Sequence, residues 1–200
     1  MADDFGSRLH YHNDEDFTVW DAKQQEVKSA CRVEPSSTQD VSNTLSILVD
    51  NWCRFAVKGG GHSQNPDDSV SVGGVTVDMH LTKSLDVAPD RKSVSLGSGH
   101  FLYTMYHGLE AFKLTTIGGR VADVGLGGYA LGGGISNLSP RYGLAVDNIL
   151  EYEVCVEPSQ SPLAFYVSSA NWSMRLFYLT RPLTKWMSTK TPIFTLHFEE

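Results

Sequence analysis

Short apolar runs separated by polar turns dominate the chain, and their spacing alternates between strand and helix periods. Residues 29–34 read as a strand. Pro35, Ser36, Ser37 and Thr38 then offer a helix start. Val41, Leu45, Leu48, Val49 and Trp52 follow at helical spacing and predict an amphipathic helix over 39–52. Residues 54–58 form a second strand that runs into a loop, a usual position for ligand contacts in strand–helix–strand units. Strands are predicted at 74–78 and 93–97, joined by a turn around Pro89 and Asp90. Leu102, Met105, Tyr106, Leu109 and Phe112 share one face and mark a second helix over 101–112. Strands at 114–117 and 148–156 complete the pattern. Residues 1–18 are polar, acidic and without period, which predicts a loose arm. Residues 157–200 have only weak periodicity.

Glycine interrupts this pattern twice. Phe55, Ala56, Val57 and Lys58 lead into Gly59, Gly60, Gly61, His62 and Ser63. Farther on, eight of the seventeen positions from 118 to 134 are glycine. The second segment is no flexible linker, because Val, Leu and Tyr are interleaved with the glycines. Backbone without Cβ atoms can wrap a ligand closely and aim successive N–H groups at a phosphate. Each cluster alone also suits a tight turn. Neither the P-loop spacing nor the dinucleotide fingerprint G-x-G-x-x-G is present. Two such clusters, both after strand-like runs, favour one extended ligand lying against both.

Composition narrows the partners. Formal net charge is −7 and no Lys/Arg cluster appears, which argues against nucleic acid and against an anionic membrane surface. No apolar run is long enough to predict a transmembrane helix. The first residues show neither a basic n-region nor an apolar h-region, so no signal peptide is visible and a cytoplasmic location is favoured. Cys31, Cys53 and Cys155 fit no metal spacing and are expected as free thiols, at least two of them buried. His10 and His12 alternate in the arm without a partner set for a metal, so no metal is expected. His100, His107 and His197 read as surface or satisfied core residues. Arg120 and Asp123 are expected to pair with each other, ahead of the alternative that Arg120 helps neutralise phosphate.

The GGGHS loop, the segment GGRVADVGLGGYALGGGIS and the following SPRYGLAVDN together resemble the FAD-binding domain of the vanillyl-alcohol oxidase and para-cresol methylhydroxylase (PCMH) type. The likeness is greatest to the berberine bridge enzyme-like oxidoreductases, especially fungal ones, and covers roughly residues 19–156. It implies an α+β fold: a PCMH-type FAD-binding domain of two small α/β subdomains. Residues 157–200 match nothing in the family pattern, which implies a domain lacking its C-terminal substrate domain. The resemblance places the FAD pyrophosphate on Gly59, Gly60 and Gly61, with Ser63 beside them. His62 falls at the histidine that bonds covalently to the flavin in many relatives. Gly118, Gly119, Val121, Asp123, Val124, Gly125 and Gly128 would line the cofactor, and Asn137 and Val154 would lie near it. Many relatives add a second link through a cysteine; here Val121 stands at that position and offers no nucleophile. The implied activity is oxidation of a small alcohol, sugar or secondary metabolite by hydride transfer to flavin, with O2 as acceptor. No catalytic base is nameable. A non-catalytic flavin-binding remnant, or a nucleotide-binding module without flavin, remains open from sequence.

Overall fold

A computed structural model describes residues 5–11, 17–155, 164–168 and 193–199. Two sheets carry the architecture. The first has the order β1-β2-β4-β3, with β1 (Leu9–Tyr11), β2 (Cys31–Val33), β3 (Phe55–Lys58) and β4 (Val75–Asp78). β1 is antiparallel to β2, whereas β2 and β3 both run parallel to β4, which lies between them. The strand–helix–strand unit is therefore present but split by a later strand. Its helix α2 (Thr38–Asp50) starts where predicted, because the Ser37 side chain accepts the Asp40 N–H and caps the first turn. Val41 and Leu48 of α2 bury against Val33, Val75, Val77 and Met79, with Phe5 and Cys155 closing the core. Full burial of side chains this size stabilises by about 1.5–3 kcal/mol each.

The second sheet has the order β5-β6-β9-β7-β8: β5 (Leu85–Val87), β6 (Ser93–Leu96), β7 (Ile149–Cys155), β8 (Ala164–Ser168) and β9 (Ile193–Glu199). All its pairings are antiparallel. Helix α3 (Leu102–Glu110) packs Leu102, Met105 and Leu109 against Val94, Leu96, Ile117, Leu126 and Ile149. The short helices α4 (Leu126–Leu131) and α5 (Ser139–Tyr142) follow within the glycine-rich stretch. Each sheet thus has its own apolar core, as expected for an α+β domain of two small subdomains. Among the described residues no helix is long and apolar enough to cross a membrane.

Several expectations need correction. Residues 5–11 are not a loose arm: Phe5 is buried and β1 extends the first sheet. Residues 114–117 form no strand; the Leu114 N–H instead closes the end of α3 on the Leu109 carbonyl. Trp52 and Phe112 lie beyond the ends of their helices and are exposed. The turn near Pro89 joins β5 to β6, with the Ala88 N–H donating to Ser93. Only Cys155 of the three free thiols is buried; Cys31 and Cys53 are half-buried. Burial, with Glu153 nearby, pushes the Cys155 thiol up to about 11. His12 and Trp172 fall outside the described residues, as does the outer end of the 148–156 strand.

Candidate functional site

The two glycine segments meet where the two units touch. A Cβ at Gly60 would fall on the backbone nitrogen of Gly125, and 2.7 Å from its Cα. A Cβ at Gly125 would fall on Gly60 in return. No L side chain fits at either position, so main chain lies directly on main chain. Gly61 adopts φ +70°, in the left-handed region that glycine enters without strain. Gly128 faces open space.

The backbone there is short of partners. Among the described residues, the N–H groups of Gly60, Gly61 and His62 donate no hydrogen bond, nor do those of residues 118–123 and Gly125. Gly61 and Gly118 are buried nonetheless. Gly125 is buried too, whereas residues 120–123 face solvent. Buried donors are almost always paired, so the unused ones at Gly61, Gly118 and Gly125 call for an acceptor from outside the chain. An elongated anion against both segments is what this arrangement can hold, which fits a dinucleotide diphosphate.

Residues 19–25 clamp the first loop. Val19 lies where a Cβ at Gly61 would meet it at 3.1 Å. The fully buried Gln24 of helix α1 (Ala22–Gln25) donates from Nε2 to the Ser63 carbonyl and accepts at Oε1 from the Ser69 N–H at 3.0 Å. Trp20 stacks on the His62 imidazole, with ring centroids 4.6 Å apart and planes at 15°. Asp123 Oδ1 approaches His62 Nε2 at 3.3 Å, although the pair is not aligned as a hydrogen bond and Nε2 is buried. The expected pairing of Arg120 with Asp123 is absent among the described residues; the Asp123 carboxylate faces His62 instead.

Upstream of the same loop lies a network that the sequence did not announce. Lys58 Nζ donates to both carboxylate oxygens of Asp78, at 3.1 and 3.2 Å. Arg32 bonds Glu34 and reaches Asp78 at 3.4 Å. His10 Nε2 lies 3.1 Å from Glu34. The Phe17 ring lies beneath both cations, 4.9 Å from Arg32 and 5.5 Å from Lys58. Glu34, Asp78 and His80 bring ligand atoms within 4.8 Å of one another. Two cations already neutralise those carboxylates, so the trio belongs to an ion network rather than an open metal site.

Gly59, Gly60, Gly61, His62 and Ser63 thus stand together with Asp123, Val124 and Gly125. Gly118 and Gly119 lie farther along the same segment, against Tyr106 and Tyr129. Val121 is exposed. Asn137 is exposed in the turn before α5, and Val154 is half-buried on β7. No described hydrogen bond or ion pair joins either to the glycine loops. Sequence reasoning missed Trp20 and Gln24, whose contacts are long-range and leave no local period.

A family model described as FAD binding domain matches residues 29–158, more than half of the chain. An FAD-dependent monooxygenase of Cochliobolus heterostrophus is 39% identical over 135 residues, 68% of this chain and 26% of that protein. The chain spans about a quarter of the length of the curated relatives it matches. Among solved structures, 6-hydroxy-D-nicotine oxidase of Arthrobacter nicotinovorans superposes with a TM-score of 0.71 at 27% identity, covering 80% of this chain and 35% of that one. BBE-like 1 of Physcomitrella patens gives a TM-score of 0.79 at 22% identity, covering 98% and 42%. Glucooligosaccharide oxidase of Acremonium strictum, described with a 6-S-cysteinyl, 8α-N1-histidyl FAD, gives 0.70 at 23%, covering 80% and 34%. The last two identities are low enough that the likeness speaks for the fold alone. Two sheets with separate cores, joined at glycine backbone, and a matching family model lead to one conclusion: this chain belongs to the FAD binding domain family.

Proposed function

We propose that this chain holds FAD for a flavin-dependent oxidoreductase acting on a small alcohol, sugar or secondary metabolite, with O2 as electron acceptor. The observation that carries the reading is the backbone contact of Gly60 with Gly125, flanked by unused N–H groups on both segments. Gly59, Gly60 and Gly61 would take one side of the diphosphate through backbone amides. Gly118, Gly119, Val121, Asp123, Val124, Gly125 and Gly128 would line the other, with Ser63, Asn137 and Val154 nearby. When bound, FAD supplies the two-electron chemistry; the protein binds, orients and shields it.

His62 is the proposed point of covalent attachment, in line with the histidyl link named for the Acremonium enzyme. A neutral imidazole nitrogen is a competent nucleophile near pH 7. By the family resemblance Val121 falls at the position of a second, cysteinyl link, so a single attachment is expected. Trp20 holds the imidazole plane, and Gln24 fixes the carbonyl of the next residue.

The test uses the full chain expressed with ample riboflavin, purified and precipitated with acid. Yellow colour that stays with the pellet supports the reading. His62→Ala moves the colour to the supernatant. A colourless protein overturns it. A panel of alcohols and sugars assayed for peroxide then separates an enzyme from a flavin carrier without turnover.

A further inference from the structure

His62 is held from two directions. Trp20, ahead of α1, covers one face of the ring. Asp123, from the second glycine segment, brings a carboxylate oxygen to 3.3 Å of Nε2. Among the described residues nothing else pairs with Nε2, and nothing hydrogen-bonds Nδ1. The Asp123 side chain is 60% exposed, against 18% for His62, so a modest rotation of the aspartate aligns the bond at little expense.

The chemistry of the pair is directional. An ionised carboxylate only accepts hydrogen bonds. A neutral imidazole carries one proton, on one nitrogen or the other. A carboxylate beside Nε2 keeps the proton there and leaves the lone pair on Nδ1. We propose that Asp123 is a positioning residue: it fixes the tautomer of His62 and, with Trp20, turns the bare Nδ1 toward the flavin. The logic is that of the buried carboxylate that orients a catalytic histidine. The inference rests on the reading of His62 as a flavin-facing residue.

The experiment labels histidine with 15N in the full chain and records NMR spectra at pH 8, with and without FAD. In the FAD-free wild type, His62 Nε2 is the protonated nitrogen with a visible, slowly exchanging proton, and Nδ1 is bare. Asp123→Ala loses that proton signal to exchange with water. Asp123→Asn, which still accepts through its amide oxygen, keeps a weaker one. In parallel, acid-stable flavin accumulates about tenfold more slowly in Asp123→Ala, the lower end of what loss of an orienting partner does to a ligating histidine, with Asp123→Asn in between. Thermal unfolding of both variants stays at the wild-type value, because the altered side chain is exposed. An unprotonated Nε2 in the wild type overturns the proposal, as does an Asp123→Ala protein that keeps both the signal and the rate. A wild type that takes up no FAD overturns the functional reading, and the spectra of the FAD-free chain still decide this one.

Discussion

Lys58 and His62 stand on either side of the same three glycines, yet their surroundings are opposites. Around Lys58 the charges are buried and matched, with Arg32, Glu34 and Asp78 in contact. Around His62, among the described residues, a ring nitrogen and a row of backbone N–H groups lack aligned partners. A closed set of partners serves the fold. An open set, kept in place by Trp20, Gln24 and Val19, is stability left for a ligand to supply. Histidine shows the same contrast. His100 is buried and bonded through both nitrogens, to Thr104 Oγ1 at 3.0 Å and the Ser84 carbonyl at 3.1 Å.

The comparison breaks most sharply at Lys58. Lys58→Met takes away the cation that bonds both oxygens of the buried Asp78 carboxylate, leaving it the longer contact to Arg32 at 3.4 Å and the His80 N–H, and is expected to lower stability by about 3 kcal/mol in urea unfolding. A change under about 1 kcal/mol would show that the network is not closed. Gly60→Ala comes next, with an expected loss of about 2–3 kcal/mol from overpacking against Gly125 and loss of FAD uptake, measured by unfolding and by flavin absorbance. Wild-type behaviour there would mean that the two segments part easily.

His100 sharpens the contrast through pH. Burial lowers its pKa below the ordinary 6.5, opposed in part by the hydrogen bond to the Ser84 carbonyl. The folded state therefore stays neutral while the unfolded chain takes up a proton. Its stability contribution is complete above about 6.5 and is lost as pH falls from there through the folded-state value. The slope is at most about 1.4 kcal/mol per pH unit. His100→Gln should flatten that part of the stability–pH profile; an unchanged profile would place the titration elsewhere. Tyr129 gives the smallest effect. Its hydroxyl is buried without a hydrogen-bond partner among the described residues, and burial, with Tyr106 nearby, pushes its pKa up to about 12. Tyr129→Phe removes an unsatisfied group and should be neutral or stabilising by under about 1 kcal/mol. A clear loss in calorimetry would reveal a partner for that hydroxyl.

Most of the framework was legible because it is local. Helices α2 and α3 announced themselves by period, and β3, β4, β6 and β7 by apolar runs. The glycine segments were legible because few other structures need so many positions without Cβ. What escaped was non-local. β1 exists because β2 offers an edge, although Leu9–Tyr11 has no strand signal of its own. The apolar residues at 114–117 found core rather than a strand partner. Asp123 looked paired with Arg120, three residues away, but a contact sixty-one positions back in the chain took precedence. The ion network around Asp78 draws on four separate segments, and the strand pattern of three of them says nothing of which charges meet.

The Trp20–His62 stack has a practical consequence. An indole this close to the imidazole makes the site its own optical sensor. A yellow chromophore arriving beside that ring would drain its excited state, so ultraviolet emission should dim as the cofactor binds.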